Sequence, residues 1–304
     1  MKSDEINRYT RLKDLTKFGV DINWSVLSGK RVIIAGVGGI GSLAAEMLVR
    51  CGIGTIDLID LDDVSVKNLN RLFYSSEDIG KSKVKVAKQK LSKINPTVKI
   101  NTFHGDICSV DFIGTFKELL QSADLLLMGL DNITAREYVN TMCIRNKLTY
   151  IDVGASRSGL GGYVHRVIPF KTACYKCAAS IKIGKQMRDA DGEPCSASLP
   201  TTIAILASLQ VSQALKTLLA YGSMPDYLTY NGLLDEFFIY KQKRDPNCPV
   251  CSEKAKVTEG EESEELQEIE DDEDLLNAID SLSDKMSQSR YLPKEKGNKK
   301  IKKK

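Results

Sequence analysis

The 304-residue sequence predicts a doubly wound α/β domain on a mainly parallel sheet, stapled by a four-cysteine zinc site and followed by a charged tail. Three observations carry this prediction. Apolar runs such as Val32–Ala35 are continuous, as in parallel strands covered on both faces. Such runs alternate with amphipathic stretches of helical length, the order that builds parallel sheets. Two CxxC pairs, Cys174/Cys177 and Cys248/Cys251, carry the spacing of a metal-ligand set.

In RVIIAGVGGIGSLAAEMLVRCGIGTIDLID, a strand meets a glycine turn, a helix and a second strand. Leu43, Met47 and Leu48 keep a helical period, and Gly52 and Gly54 stop it. Lys81–Ile94 reads as a helix ended by Asn95-Pro96, with a strand near Val98–Phe103. A strand at Asp124–Met128, a helix at Thr134–Asn146 and a strand at Tyr150–Val153 follow. Beyond them lie a strand-like Gly162–Ile168, an apolar helix from about Thr201 to Leu219, and a hairpin over Tyr227–Tyr240 around Asn231-Gly232. After Cys251 the composition breaks: VTEGEESEELQEIEDDED is acidic and PKEKGNKKIKKK basic. Blocks of like charge cannot bury a core, so residues 1–251 form the expected domain and 252–304 a disordered tail. Within the tail, Leu275, Leu276, Ile279, Leu282 and Met286 recur at helical spacing, predicting a short partner-binding helix over about 273–287.

Hydrophobic residues make up 42% and charged residues 27% of the chain, values of a globular protein with a core. A net charge of +3 gives no reason to expect nucleic acid. No apolar run suggests a membrane span, and the N-terminus lacks the apolar centre of a secretory signal. Eight cysteines without an export signal point to a reducing, cytoplasmic setting and metal binding rather than disulfides.

Gly36, Gly38, Gly39 and Gly41 form GxGxxG between strand and helix, with Asp60 closing the next strand. This is the Rossmann-like arrangement: backbone and helix N-terminus approach a phosphate chain while the acid accepts from ribose hydroxyls. Asn70-Arg71 and Gly80-Lys81-Ser82-Lys83 follow, and Arg71 and Lys83 are cations suited to a triphosphate. Asp131-Asn132 follows the DLLLM strand at its carboxyl end, where a carboxylate can hold Mg²⁺ against phosphates.

GVGGIGS, LIDLDDVSVKNLNRLFY, GKSK and LDNITAR, bracketed by the CxxC pairs, resemble the adenylation domain of ubiquitin-like-protein activating enzymes. That superfamily includes the adenylyltransferases of molybdopterin and thiamin sulfur transfer. CGIG, NRLF, KINP, TACYKCA and CSASLPTT are similar to the activating enzymes of ubiquitin-fold modifier, and the resemblance spans about residues 8–251. It implies binding of Mg-ATP and of the C-terminal glycine of a ubiquitin-like modifier, with formation of an acyl-adenylate. By position it assigns Gly39, Asp60, Lys83 and Asn132 to ATP, Arg71 to phosphate charge and Asp131 to the metal. Asp106 stands where those enzymes offer a polar amide to the nucleotide. Arg11, in RYTRL, matches an arginine that reaches the neighbouring subunit's site in bacterial relatives, implying a homodimer. The family's tail recruits the conjugating enzyme and the modifier. The second metal pair is closer to the bacterial adenylyltransferases, and a separate catalytic-cysteine domain of the ubiquitin-activating type is not expected. A sulfur-carrier adenylyltransferase, a nicotinamide-dependent oxidoreductase and a non-catalytic nucleotide-binding scaffold are the alternatives.

Cys174, Cys177, Cys248 and Cys251 predict a closed structural zinc site that joins distant segments. Cys51, Cys108 and Cys143 read as small buried hydrophobes. Cys195 differs, because it precedes the helix that begins near Pro200 and follows the charged, glycine-containing IKIGKQMRDADGEP. A helix N-terminus lowers a thiol's pKa, so the expected nucleophile is Cys195, carried on a segment over about 178–200. The alternative is a structural cysteine at a helix start.

Overall fold

The computed structural model describes residues 8–19, 22–179, 199–253 and 255; Cys195 and the stripe expected at 273–287 lie outside them. Strands β1 (Arg31–Ala35), β2 (Thr55–Asp60), β3 (Lys99–His104), β4 (Leu125–Met128), β5 (Tyr150–Ala155), β6 (Gly161–Val167), β7 (Tyr227–Asn231) and β8 (Glu236–Tyr240) form one sheet. Its order is β3-β2-β1-β4-β5-β6-β7-β8. Pairing is parallel from β3 through β5 and antiparallel from β5 through β8. The chain leaves β1 on one side for β2 and β3, then crosses to β4 on the other. That reversal opens a crevice at the carboxyl ends of β1 and β4, the place where open α/β sheets take ligands.

Helices α1 (Gly39–Cys51), α2 (Lys83–Ile94), α3 (Ile113–Ser122), α4 (Ile133–Arg145), α5 (Tyr175–Ala179) and α6 (Pro200–Leu219) cover the sheet. Val32 and Ile34 of β1 face a core shared with α1, α2 and α6, where Leu48, Leu91 and Leu206 are fully buried. Ile33 and Ala35 face a second core with Phe116 of α3 and Val139 of α4. Both faces are covered, which is why the β1 sequence does not alternate. Each buried leucine contributes roughly 1.5–3 kcal/mol by leaving water.

Helix boundaries follow local chemistry. Helix α1 stops where Gly52 turns left-handed at φ +85. Helix α2 ends at extended Asn95, as the following Pro96 requires. Helix α6 opens with Pro200 at a first-turn position that needs no N–H donor. Among the described residues α6 is the one helix long and apolar enough to cross a membrane. Here it is a core element, with Ile203, Ala207, Val211 and Ala214 buried. Its Gln210 is also fully buried, donating from Nε2 to the carbonyls of Met128 (3.1 Å) and Ile151 (2.9 Å). Those two bonds fasten the carboxyl end of β4 to its neighbour β5.

Several local features differ from the sequence reading. The expected hairpin turns over four residues, Gly232–Asp235, with Asn231 still paired in β7. Helix α2 begins at Lys83 rather than Lys81, because the Lys81 carbonyl accepts from Val64 and Ser82 bridges to Asp63. Helix α3 was not anticipated: it holds to the core by Phe116, Leu119 and Leu120 alone. Cys143 is fully buried, but Cys51 and Cys108 are only half-buried. The outermost strand, β8, and its loop leave Leu233, Leu234, Phe237 and Ile239 exposed.

Replacing Gln210 with Leu removes both donors from the Met128 and Ile151 carbonyls. We expect Gln210→Leu to lower the unfolding free energy by about 1–3 kcal/mol in a denaturant titration. An unchanged midpoint would show that the two Gln210 bonds add nothing to the β4–β5 pairing.

Candidate functional site

Two loops meet in the crevice, and they meet backbone to backbone. Gly36 sits at φ +88, and a Cβ there would lie 2.7 Å from the Gly129 carbonyl oxygen after β4. A Cβ on Gly41 would lie 1.9 Å from the Gly36 oxygen. No residue but glycine fits either position. The Gly36 amide donates to the Ile59 carbonyl and that of Gly129 to the Ala35 carbonyl, each at 2.8 Å. Tyr74 fixes the loop from outside, donating its hydroxyl to the Val37 carbonyl at 2.6 Å. Burial, with the Asp60 and Asp78 carboxylates nearby, pushes the Tyr74 pKa far up, so it keeps the proton it donates. The sequence reading missed Tyr74, and nothing in its spacing says that it reaches back to the glycines.

Asp60 ends β2 beside this loop. Its Oδ2 accepts from the Val37 amide at 2.6 Å and its Oδ1 from the Asp62 amide at 2.9 Å. The Lys83 ammonium stands 3.7 Å from Asp60 and 2.6 Å from Asp62. Burial raises the Asp60 pKa, against the opposing pull of Lys83 and the two amides. Asp60 thus organises the loop directly. A carboxylate offers about four acceptor positions, so room remains for a ligand hydroxyl.

Arg71 lies across the glycines. A Cβ on Gly39 would meet Arg71 Cδ at 3.0 Å and Ile203 Cγ2 at 3.2 Å, and one on Gly38 would meet Arg71 Nη1 at 3.5 Å. The Arg71 Nε is buried and has no hydrogen-bond partner among the described residues. A buried, unsatisfied cationic donor above a helix N-terminus suits an anion. Ile203 belongs to the first turns of α6, so the start of that helix also adjoins the loop. The neighbouring Asn70 is exposed.

Asp131 and Asn132 are exposed on the loop after β4. The Asn132 Oδ1 accepts from the Ala135 amide at 2.6 Å, capping α4. Asp106 is exposed after β3, where the Gly105 amide donates to the Asp60 carbonyl at 3.2 Å. Its own carboxylate accepts from the Cys108 amide at 2.9 Å. Arg11 does not join this group. It sits on the exposed turn Thr10–Lys13, next to Tyr9, which packs on Gly52 and accepts from Asn95 Nδ2 at 2.7 Å. Gly52 caps the far end of α1, whose 13 residues span about 20 Å from the glycine loop.

Cys174, Cys177, Cys248 and Cys251 gather in the second core, all buried, with their sulfurs within 4.8 Å of one another. The close pairs are Cys177–Cys251 at 3.4 Å, Cys174–Cys248 at 3.7 Å and Cys174–Cys177 at 3.8 Å. A tetrahedral cation with sulfur ligands at about 2.3 Å needs edges of about 3.8 Å, so the set fits one. The Asp245 amide donates to the Cys177 sulfur at 3.4 Å, and Arg244 ties the carbonyls of Phe170 and Cys251 together. Such outer contacts orient ligating sulfurs. Four protein ligands leave no open position, and the cluster lies on the sheet face away from α6.

The family model described as "ThiF family" matches residues 9–250. A Dictyostelium discoideum protein named ubiquitin-like modifier-activating enzyme 5 is 38% identical over 253 residues, covering 80% of this chain and 66% of that protein. The protein of that name in Oryza sativa subsp. japonica is 38% identical over 264 residues, covering 82% and 63%. The chain therefore spans a little under two thirds of these relatives. Among solved structures, E. coli MccB with ATP superposes at a TM-score of 0.62 with 25% identity, covering 75% of this chain and 68% of that one. PaaA shares the fold at a TM-score of 0.65 and 22% identity, covering 79% and 84%. The matched residues hold the glycine loop, the acid, the cations and three of the four clustered cysteines in this order, and the chain belongs to the ThiF family.

Proposed function

We propose that this protein activates a ubiquitin-like modifier at the expense of ATP and passes it, through a thioester on Cys195, to a conjugating enzyme. The observation that carries the reading is Arg71, whose buried, unpartnered Nε overlies Gly38 and Gly39 at the start of α1. A nicotinamide dinucleotide brings less charge to this position than a triphosphate does. The relatives named above, and a crystallised structural neighbour with ATP, support the same assignment.

In this reading the Gly36–Gly41 backbone and the α1 N-terminus cradle the phosphates, and Asp60 accepts from the ribose. Lys83 and Arg71 neutralise phosphate charge; Asn70, Asp106 and Asn132 border the nucleotide. Asp131 would hold Mg²⁺, which supplies further neutralisation of the phosphate oxygens when bound. The modifier's C-terminal carboxylate attacks the α-phosphorus, forming the acyl-adenylate and expelling pyrophosphate. Positioning and electrostatics dominate the acceleration of such a step. The Cys195 thiolate then attacks the acyl carbonyl, forming the thioester as AMP leaves.

Cys195 precedes Leu199 by four residues, which span at most about 14 Å of extended chain. The start of α6 adjoins the glycine loop, so that length suffices to reach a bound adenylate. Arg11 cannot serve its own loop from the far end of α1 and would act in a partner subunit of a homodimer. Zinc would occupy the four cysteines, holding α5 and residues 248–251 together. The acidic tail, with its 273–287 segment, would recruit the conjugating enzyme.

Three outcomes test this. Cys195→Ala should retain modifier-dependent pyrophosphate exchange and lose the reductant-sensitive adduct, whereas Asp131→Ala should lose about 10²-fold or more in exchange. An adduct persisting in Cys195→Ala on a non-reducing gel removes Cys195 from the nucleophile's role. Metal analysis should find one zinc per chain, and chelation or Cys251→Ser should lower the melting temperature sharply. Active protein free of zinc would defeat that assignment. Mixing Arg11→Ala with Asp131→Ala subunits should restore activity from one intact composite site; no recovery after demonstrated subunit exchange rejects action in trans.

A further inference from the structure

Beneath the exposed Asp131 lies a buried polar cluster that neither the glycine loop nor the cysteines explain. Arg136, the fourth residue of α4, is buried, and its guanidinium bonds to β5, to β6 and to the loop after β4. Its Nη1 donates to Asp152 Oδ1 at 2.8 Å and to the Tyr163 hydroxyl. Its Nη2 donates to the Val153 carbonyl at 3.1 Å and to the Leu130 carbonyl. The Tyr163 hydroxyl in turn donates to Asp152 Oδ2 at 2.7 Å. Asp152 is fully buried in β5, and both its oxygens are occupied.

Leu130 is the residue before Asp131. Its carbonyl is held by a guanidinium that is itself locked by a carboxylate and a phenol on two other strands. The preceding residues are fixed as well, Gly129 against Ala35 and Met128 by Gln210. Arg136 also feels the Asp131 charge, which with Asp152 favours its protonated form against burial. An ion pair buried at this depth is poor at adding stability over an apolar substitute. Its planar fork and fixed partners do define one loop conformation.

We infer that Arg136, Asp152 and Tyr163 are positioning residues that set the direction of the Asp131 carboxylate, and with it the affinity of the crevice for a metal–nucleotide complex. This rests on the activating-enzyme reading above. Tyr163 acts at two removes: its hydroxyl holds Asp152, which holds the fork, which holds Leu130. Loss of that hydroxyl alone leaves the apolar ring in place between Gly154 and Tyr227.

The test measures Mn²⁺ binding by electron paramagnetic resonance in the presence of a non-hydrolysable ATP analogue, in the full chain. Tyr163→Phe should raise the half-saturating Mn²⁺ about tenfold or more, the usual scale for an outer-shell partner. Binding of the analogue without metal should not change. In an Asp131→Asn background the same substitution should add no further shift. Arg136→Lys keeps the charge, loses the fork and should follow the same pattern, which guards against a fold defect peculiar to one variant. Unchanged Mn²⁺ affinity in both variants, or an equal shift with Asp131 already replaced, overturns the inference. Wild-type protein that binds no metal–nucleotide complex overturns the activating-enzyme reading and this inference with it. Wild-type binding with insensitive variants overturns only the inference.

Discussion

The crevice depends on a contact between backbones. The Gly36 carbonyl is wedged against Gly41 on one side, and Gly36 itself against Gly129 on the other. A side chain at Gly36 would push β1 and β4 apart at the point where the strand order reverses, and one at Gly41 would push α1 off the Gly36 carbonyl. Everything assigned to the site is placed relative to that contact. Asp60 is tied to it through Val37, Tyr74 through the Val37 carbonyl, Arg71 through its stem on Gly39, and Asp131 through Gly129. A fold with larger residues here would keep its sheet and lose the register of its loops.

Around that contact the sheet carries polar groups at strand positions that water never reaches. Asp57 in β2 is fully buried, and is matched by Arg31 at 2.6 Å and Asn101 at 2.7 Å. Asp152 is matched by Arg136 and Tyr163, and Gln210 serves two carbonyls at once. An unmatched group of this kind costs more than a good pair returns, so these partners come as sets. They fix which strand faces which, a task that interchangeable aliphatic residues perform less sharply.

Much of the fold was legible in the sequence because it rests on local patterns. The apolar run Val32–Ala35, the left-handed Gly52 and the Asn95-Pro96 stop each act within a few residues. The glycine loop and the paired cysteines were legible for the same reason, being motifs with short spacing. What escaped is non-local. Tyr74 meets Val37 across 37 residues, and Arg136 meets Asp152 and Tyr163 from other strands. Helix α3 is the exception, since Ile113, Phe116, Leu119 and Leu120 keep a helical spacing that the sequence reading passed over. Asn132, read for a ligand, also caps α4 through its Oδ1, a second task the sequence reading did not name.

The cysteine cluster has a consequence in redox terms. Sulfurs 3.4–3.8 Å apart need to close by only about 1.4–1.8 Å to reach the length of a covalent S–S bond. Geometry that suits a tetrahedral cation therefore also suits oxidation when the cation is missing. A bridge within the cluster would consume ligands in pairs and prevent the metal from returning. Because the cluster sits inside the second core, such damage would be sealed within the fold rather than open to surface reductants. Metal occupancy early in the protein's life would then decide whether these four thiols ever meet an oxidant unprotected.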